Sequence, residues 1–366
     1  MSSERASEPS ESAEIASSAR AESGGVVPVD VQTAWPEAKR RARASEAKSK
    51  AMPCGRRAPS IRIRCSNTLL RSKLDEIIRT SSLAAMQNTL LVVTGASRGL
   101  GRAIGVAFAS SSSIKHLRCL LVARSESGLE ETASLMREAA AAAAAARNSS
   151  DAVDLEISCM DADLSDMDTL EQTVEEMFGQ LEKRTYDRAI LINNAGSLGY
   201  LGRCSDMTSL GKLQRAIDLN VTSSSWISLQ FVHKLSSSPS QKICSTCSCI
   251  VVVNISSLCA IEPFSTMSVY CAGKAARDLF HSVLAKEESD AATSVRVLNY
   301  APGMCETAMS EELAESDRLD SKLSSMYRTA LNDKTMVQPK DTAEKLVGII
   351  ERNGWRNGAH IDYWDE

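Results

Sequence analysis

A phenol and an ammonium four residues apart, Tyr270 and Lys274, are the pair in this 366-residue chain whose types and spacing most directly suggest chemistry. Residues i and i+4 share one face of a helix, so both side chains would reach the same point. A cation beside a phenol stabilises the phenolate and lowers its pKa, which would fit Tyr270 to exchange a proton with a carbonyl oxygen near neutral pH. Ser257, in the order Ser-x12-Tyr-x3-Lys, follows an apolar run and would hold that same oxygen through its hydroxyl. Without further context Tyr-x3-Lys is an ordinary helical surface pair. The context lies upstream.

The stretch Thr94-Gly95-Ala96-Ser97-Arg98-Gly99-Leu100-Gly101 stands between an apolar run and a helix face made by Ile104, Ala107 and Phe108. Glycines let the backbone come close to a pyrophosphate, and a helix start offers free N–H groups and the positive end of its dipole. A tight turn with no ligand is the bland alternative, and the strand, loop and helix setting argues against it. The next apolar run ends in Ala123-Arg124-Ser125, where an NAD-binding turn would carry a carboxylate for the ribose 2′-hydroxyl. Arg124, with Arg98 nearby and Ser125 beside it, would instead pair with a 2′-phosphate, because a guanidinium matches phosphate oxygens bidentately. The expected cofactor is NADP(H). After the third run, Asp163 would accept from the adenine amino group and Leu164 would cover the ring.

Positioning these residues requires a regular framework, and the chain supplies a repeating one. Apolar β-rich runs at 90–94, 117–123, 155–160, 189–193, 250–255, 295–300 and 359–363 predict seven strands, the first six each followed by room for a crossover helix. Near-continuous Val, Ile and Leu without polar alternation predicts strands covered on both faces. The fold expected is α/β, a single Rossmann-type doubly wound parallel sheet with helices on both sides. Eight consecutive alanines between Glu138 and Arg147 extend the second helix on propensity alone and read as a permissive surface insertion.

Residues 1–85 differ in kind. They carry 15 Lys and Arg against 10 Asp and Glu, a net of +5, with acids concentrated before residue 38 and bases after it. Such a tract cannot repay its ordering entropy by burial, so it is expected to be a disordered extension ahead of one domain, 86–366. Acids at positions 4, 8, 11 and 14 argue against an organelle presequence, and Met86 sits where a start codon would serve the domain. The remainder is −9, which disfavours nucleic acid as a partner. No apolar run approaches the roughly 18 residues of a membrane span. Eleven scattered cysteines and no opening apolar signal region suggest a reducing, cytoplasmic setting. Cys244, Cys247 and Cys249 lack a second ligand pair at zinc spacing, so no metal is expected.

The glycine motif, Asn193-Asn194-Ala195-Gly196, Asn220, Ser257, Tyr270-x3-Lys274 and Pro302-Gly303-x3-Thr307 occur in an order that resembles the short-chain dehydrogenase/reductase family over residues 88–366. The resemblance implies roles residue by residue. Asn194 and Gly196 would line the adenosine side, Asn220 would hold a water in a proton relay from Lys274, and Lys274 would also touch the nicotinamide ribose. Pro302 and Thr307 would contact the cofactor, Thr307 at the nicotinamide amide. Segments 254–260, 270–278, 295–303 and 358–365 further resemble the branch of the family that reduces side-chain ketones of pterins in tetrahydrobiopterin synthesis. That likeness implies a pterin substrate anchored by Asp362, with Gly303 beside Ser257 and Tyr270 at the substrate. It also implies a homodimer through the helices carrying Asn220 and Tyr270. Met304, Cys305 and Glu306 depart from the family's usual residues near the substrate mouth. A broad carbonyl reductase for dicarbonyls, quinones or steroids would keep every catalytic residue and drop only the role of Asp362. A cofactor-binding sensor without turnover would be expected to lack Tyr270 or Lys274, and both are present.

Overall fold

The computed structural model describes residues 87–147, 153–179, 186–236, 247–290 and 294–365. The expected extension 1–85 and the cysteine-rich stretch before residue 247 lie outside the described residues. Seven strands form one parallel sheet in the order β3-β2-β1-β4-β5-β6-β7. They are β1 (Asn88–Thr94), β2 (His116–Ala123), β3 (Asp154–Asp161), β4 (Tyr186–Asn193), β5 (Cys247–Ile255), β6 (Val295–Ala301) and β7 (Ala359–Asp362). Each contains or nearly matches its predicted run. The order reverses between β1 and β4, which opens a crevice at the carboxyl ends of those strands where ligands bind in such sheets.

The helices are α1 (Gly99–Ala109), α2 (Glu126–Ala146), α3 (Leu170–Gly179), α4 (Leu210–Ile217), α5 (Ser224–Ser236), α6 (Ser268–Asp290), α7 (Ala308–Glu315), α8 (Ser321–Asn332) and α9 (Pro339–Arg352). Successive side chains of a strand point to opposite faces. Leu91 and Val93 of β1 therefore join Ile104, Phe108, Met136 and Leu346 under α1, α2 and α9, while Leu90 and Val92 meet Val174, Phe231 and Leu284 under α3, α5 and α6. Two covered faces explain the unbroken apolar strands. The edge strands are the exceptions: β3 buries only Met160 and β7 only Asp362, so their coverage is less than the apolar runs imply. The alanine run also differs from expectation, because Ala140 and Ala144 are buried on one face of α2 and belong to the packing.

Candidate active site

β1 delivers the chain to the crevice at Thr94, and the turn that follows depends on glycine. Gly95 and Gly99 have φ of +66° and +55°, a region costly for residues with a Cβ. A Cβ on Gly101 would lie 2.2 Å from the Gly95 carbonyl oxygen, so only glycine lets α1 start this close to the loop. No side chain caps α1 and no acid sits in its first turn, which leaves the first-turn N–H groups and the dipole open to an anion. These features fit a dinucleotide pyrophosphate. Leu100 packs into the core, leaving only its backbone for a ligand, and Arg98 is exposed at the rim. Arg102, unmarked in the sequence, braces the loop: it donates to the Ser97 carbonyl at 2.6 Å and pairs with Glu131 at 2.6 Å. Thr132, fully buried, donates to the Ala96 carbonyl at 2.9 Å.

At the ends of β2 and β3, Arg124 and Asp163 face each other at 3.9 Å, both well exposed. Burial raises the Asp163 carboxyl, but hydrogen bonds from the Ser165 side chain and backbone, helped by Arg124, outweigh it and leave the group below its usual range. The Ser125 hydroxyl is engaged as the α2 cap, accepting from Gly128 N–H at 3.2 Å. Leu164 is buried in the core. Ser97 lies against this turn, since a Cβ on Gly128 would come within 2.9 Å of its Cβ. Asn194 serves the loop directly: its amide donates to the carbonyls of Thr94 and Gly95 at 3.0 Å each. A cavity of about 460 Å³ extends from Arg124 past Ser197, and Lys212, Arg215 and Arg318 add cations to its wall.

The proton-handling residues meet on the far side of the crevice. Ser257 stands two residues past the end of β5 and caps a short 3₁₀ turn, accepting from Cys259 N–H at 3.1 Å. Tyr270 and Lys274 both enter from α6 and are 8 and 4 % exposed. The Lys274 ammonium donates to the Ile255 carbonyl at 2.7 Å and stands 5.6 Å from the Tyr270 ring centroid. Here the expectation of a lowered phenol pKa fails. Burial raises the Tyr270 pKa, with Cys259 adding to it, and the pull downward from Arg277 and a Ser257 hydrogen bond does not offset it. Burial likewise drives Lys274 well below its usual value, and neighbouring Arg277 pushes further. Desolvation dominates because Leu198, Leu201, Met267, Leu313 and Leu319 pack around the phenol, and Met309 Sδ stands 3.8 Å from its oxygen.

Asn220 is buried in a π turn (Asp218–Ser223) between α4 and α5. Its side chain is engaged with Ser197, accepting from the N–H at 3.1 Å and donating to the carbonyl at 2.9 Å. It packs close to the catalytic helix, since a Cβ on Gly273 would lie 3.1 Å from Asn220 Cβ. Gly196 is tight for the same reason, its Cβ position falling 2.9 Å from Asn220 Oδ1. After β6, Pro302 and Gly303 (φ +78°) turn the chain towards Thr307, the α7 cap. Thr307 reaches back over the glycine loop: a Cβ on Gly99 would be 3.4 Å from its methyl. Asp362 is fully buried at the end of β7, paired with Ala301 of β6. Its carboxylate accepts from Trp364 N–H at 3.0 Å, and Trp364 and Tyr363 border Gly303.

The sequence-derived residues thus lie along the carboxyl ends of the strands. Their arrangement can hold a dinucleotide along the glycine loop and present Ser257 and Tyr270 to a carbonyl oxygen. The model of the short chain dehydrogenase family matches residues 89–318. The chain is 34% identical over 275 residues to sepiapterin reductase of Rattus norvegicus, covering 75% of this chain and 95% of that protein. It is 28% identical over 273 residues to benzil reductase ((S)-benzoin forming) of Bacillus subtilis (strain 168), covering 75% and 97%. Levodione reductase shares the fold, with a TM-score of 0.57 and 21% identity over 75% of this chain and 95% of that one. With its glycine loop, its serine, tyrosine and lysine and its sheet all in place, the chain belongs to the short-chain dehydrogenase family and is an oxidoreductase of the kind that uses a nicotinamide cofactor.

Proposed function

We propose that the protein reduces side-chain ketones of pterins, such as sepiapterin or 6-pyruvoyl-tetrahydropterin, with NADPH, in tetrahydrobiopterin synthesis. The observation that carries this reading is the likeness to sepiapterin reductase across nearly its whole length, joined to a buried carboxylate at the residue expected to anchor the pterin. A bound NADPH supplies hydride to the carbonyl carbon. Tyr270 donates a proton to the carbonyl oxygen, and Ser257 holds that oxygen through its hydroxyl. Lys274 and Asn220 support the proton's return to Tyr270. The hydrophobic wall of Leu198, Leu313 and Leu319 excludes water, which strengthens each polar contact inside.

NADPH is favoured over NADH by Arg124, which is exposed and meets Asp163 at the far limit of an ion pair. The cations of the neighbouring cavity add to the attraction. Asp362 would accept from the pterin 2-amino group and N3–H. Because Asp362 is fully buried, pterin binding at its carboxylate requires the adjoining 363–365 turn to yield. Homodimerisation is supported by exposed Leu229 on α5, which follows the Asn220 turn, and exposed Leu279 and Val283 on α6, which carries Tyr270.

NADPH oxidation with purified protein tests the reading. Turnover with sepiapterin at a kcat/KM well above that for benzil is the expected result. A second reading, a broad carbonyl reductase, is favoured by the likeness to benzil reductase. Equal or better turnover of benzil would establish it instead.

A further inference from the structure

Three oxygen atoms converge on one buried guanidinium that no motif accounts for. Arg277 lies on α6 three residues past Lys274 and is fully buried. Its Nη2 donates to the Asn193 carbonyl at 2.6 Å, Nη1 to the Ala195 carbonyl at 2.9 Å, and Nε to Asn254 Oδ1 at 2.7 Å. The adjacent carboxylate, Asp278, is occupied elsewhere: it accepts from Asn254 Nδ2 at 3.0 Å and meets His360 Nδ1 at 2.5 Å. Burying an arginine is costly, and a well-packed apolar residue commonly serves stability as well or better. A buried cation bonded to backbone carbonyls therefore calls for a reason other than stability.

The reason lies in what those carbonyls belong to. Asn193 and Ala195 flank Asn194, whose side chain holds the Thr94 and Gly95 carbonyls. The N–H groups of Asn194 and Ala195 also donate to Thr94 Oγ1 at 3.1 Å each. Arg277 is thus joined, through the backbone of the 193–195 turn and the hydrogen bonds of Asn194, to the first glycine of the dinucleotide loop, while its own helix carries Tyr270 and Lys274. Gly196, next along the turn, packs within 3.6 Å of Nη1 at its Cβ position.

We propose that Arg277 is a positioning residue that locks the 193–195 turn, and through Asn194 the Gly95 loop, in register with Tyr270 and Lys274, so that cofactor binding and proton transfer share one support. The inference rests on the glycine loop being the cofactor site. Burial lowers the guanidinium pKa to about 10, so it stays cationic at neutral pH. That charge also favours the Tyr270 phenolate. The other groups facing the phenol are Ser257 and Cys259 from the turn after β5, Cys271 and Lys274 on α6, Met309 on α7 and Tyr327 on α8.

The test separates bonds from charge by measuring NADPH affinity through fluorescence, the pH at which alcohol oxidation turns on, and Tm. Arg277→Lys keeps the charge but not the three-way geometry. It should weaken NADPH binding by about 10- to 100-fold, the cost expected of a displacement near an ångström, with the pH onset unchanged. Arg277→Gln loses the charge, and its pH onset should move upward because the phenolate is less favoured. If neither arginine variant folds, Asn194→Ala cuts the same connection one step on and should weaken NADPH binding with no shift in pH onset. Unchanged affinity in the folded fraction of Arg277→Lys, or an unmoved pH onset in Arg277→Gln with only Tm lowered, would reduce Arg277 to a structural role. Full affinity in Asn194→Ala would break the proposed connection. A wild-type protein that binds neither NADPH nor NADH would overturn the loop's assignment and this inference with it.

Discussion

The two sides of the crevice are built by different means. On the cofactor side, the loop after β1 is held by backbone geometry and a dense set of hydrogen bonds from Asn194, Arg102 and Thr132, with glycines where no Cβ fits. On the substrate side, Tyr270 is enclosed by side chains from α7, the segment leading to α8 and the loop after β4, mostly leucine and methionine in apolar contact. Directional bonds specify one geometry, whereas apolar packing tolerates rearrangement at modest cost. The first side is suited to a ligand whose shape never changes. The second can repack around substrates of different outline, in keeping with relatives that act on a pterin and on benzil.

The sharpest way to break this comparison is at the proton donor. Tyr270→Phe should lower kcat by roughly 10²- to 10⁴-fold, the range for general acid catalysis, while NADPH affinity stays near wild type. Loss of both together in a fluorescence titration would mean that the two sides are not separable. Gly101→Ala should do the converse. Its methyl would sit 2.2 Å from the Gly95 oxygen, so the loop must open and NADPH affinity should fall by at least about 100-fold. Gly179→Ala, with nothing within 4 Å of its Cβ position, is the control and should bind normally.

A smaller and more selective effect is expected at Asp362. Asp362→Asn replaces an acceptor with a donor at the same size, so kcat/KM for sepiapterin should fall by about 10- to 1000-fold with benzil barely affected. Equal losses on both substrates would make Asp362 a structural residue of the β7 end. Parallel measurement of Tm distinguishes a general loosening, because a fully buried carboxylate also holds the Trp364 N–H.

The same contrast explains how much was legible in the sequence. Unbroken apolar runs mark the five interior strands, β2, β1, β4, β5 and β6, because both faces of each are covered, and the glycine spacing marks the loop because a steric demand on Cβ leaves a fixed residue type behind. Tyr270 and Lys274 were found by helical spacing. What spacing does not carry is burial. The pKa of Tyr270 was expected to fall beside Lys274, yet it rises because α7 folds over it, a contact between residues 39 positions apart. Arg277 looks like one more charge on a helix, and only the buried carbonyls of a distant turn give it a partner. The family resemblance implies that Asn194 lines the adenosine side, and spacing does not show that its side-chain amide also holds the Thr94 and Gly95 carbonyls. Ser125, expected beside the cofactor, also caps α2.

Arg124 offers the mildest test, and it probes the rim where neither style of construction applies. Its guanidinium is 71% exposed and 3.9 Å from Asp163, a pair too open to contribute measurably to stability. Arg124→Asp should therefore leave Tm nearly unchanged. Its effect on the cofactor should be unequal. A carboxylate repels the 2′-phosphate of NADPH, and KM for NADPH should rise by about tenfold, near the value of one exposed charge reversal. NADH should gain less, because the new carboxylate stands beside Asp163, and their mutual repulsion disfavours the side-chain position that a ribose hydroxyl contact needs. Arg124→Asp combined with Asp163→Asn relieves that repulsion and should improve NADH further. If the NADPH to NADH ratio is the same in wild type and both variants, discrimination rests on the other cations of the crevice, Arg98 and those of the cavity that reaches Arg318. In that case the 2′-phosphate is held by a diffuse field, and no single contact sets the choice of cofactor.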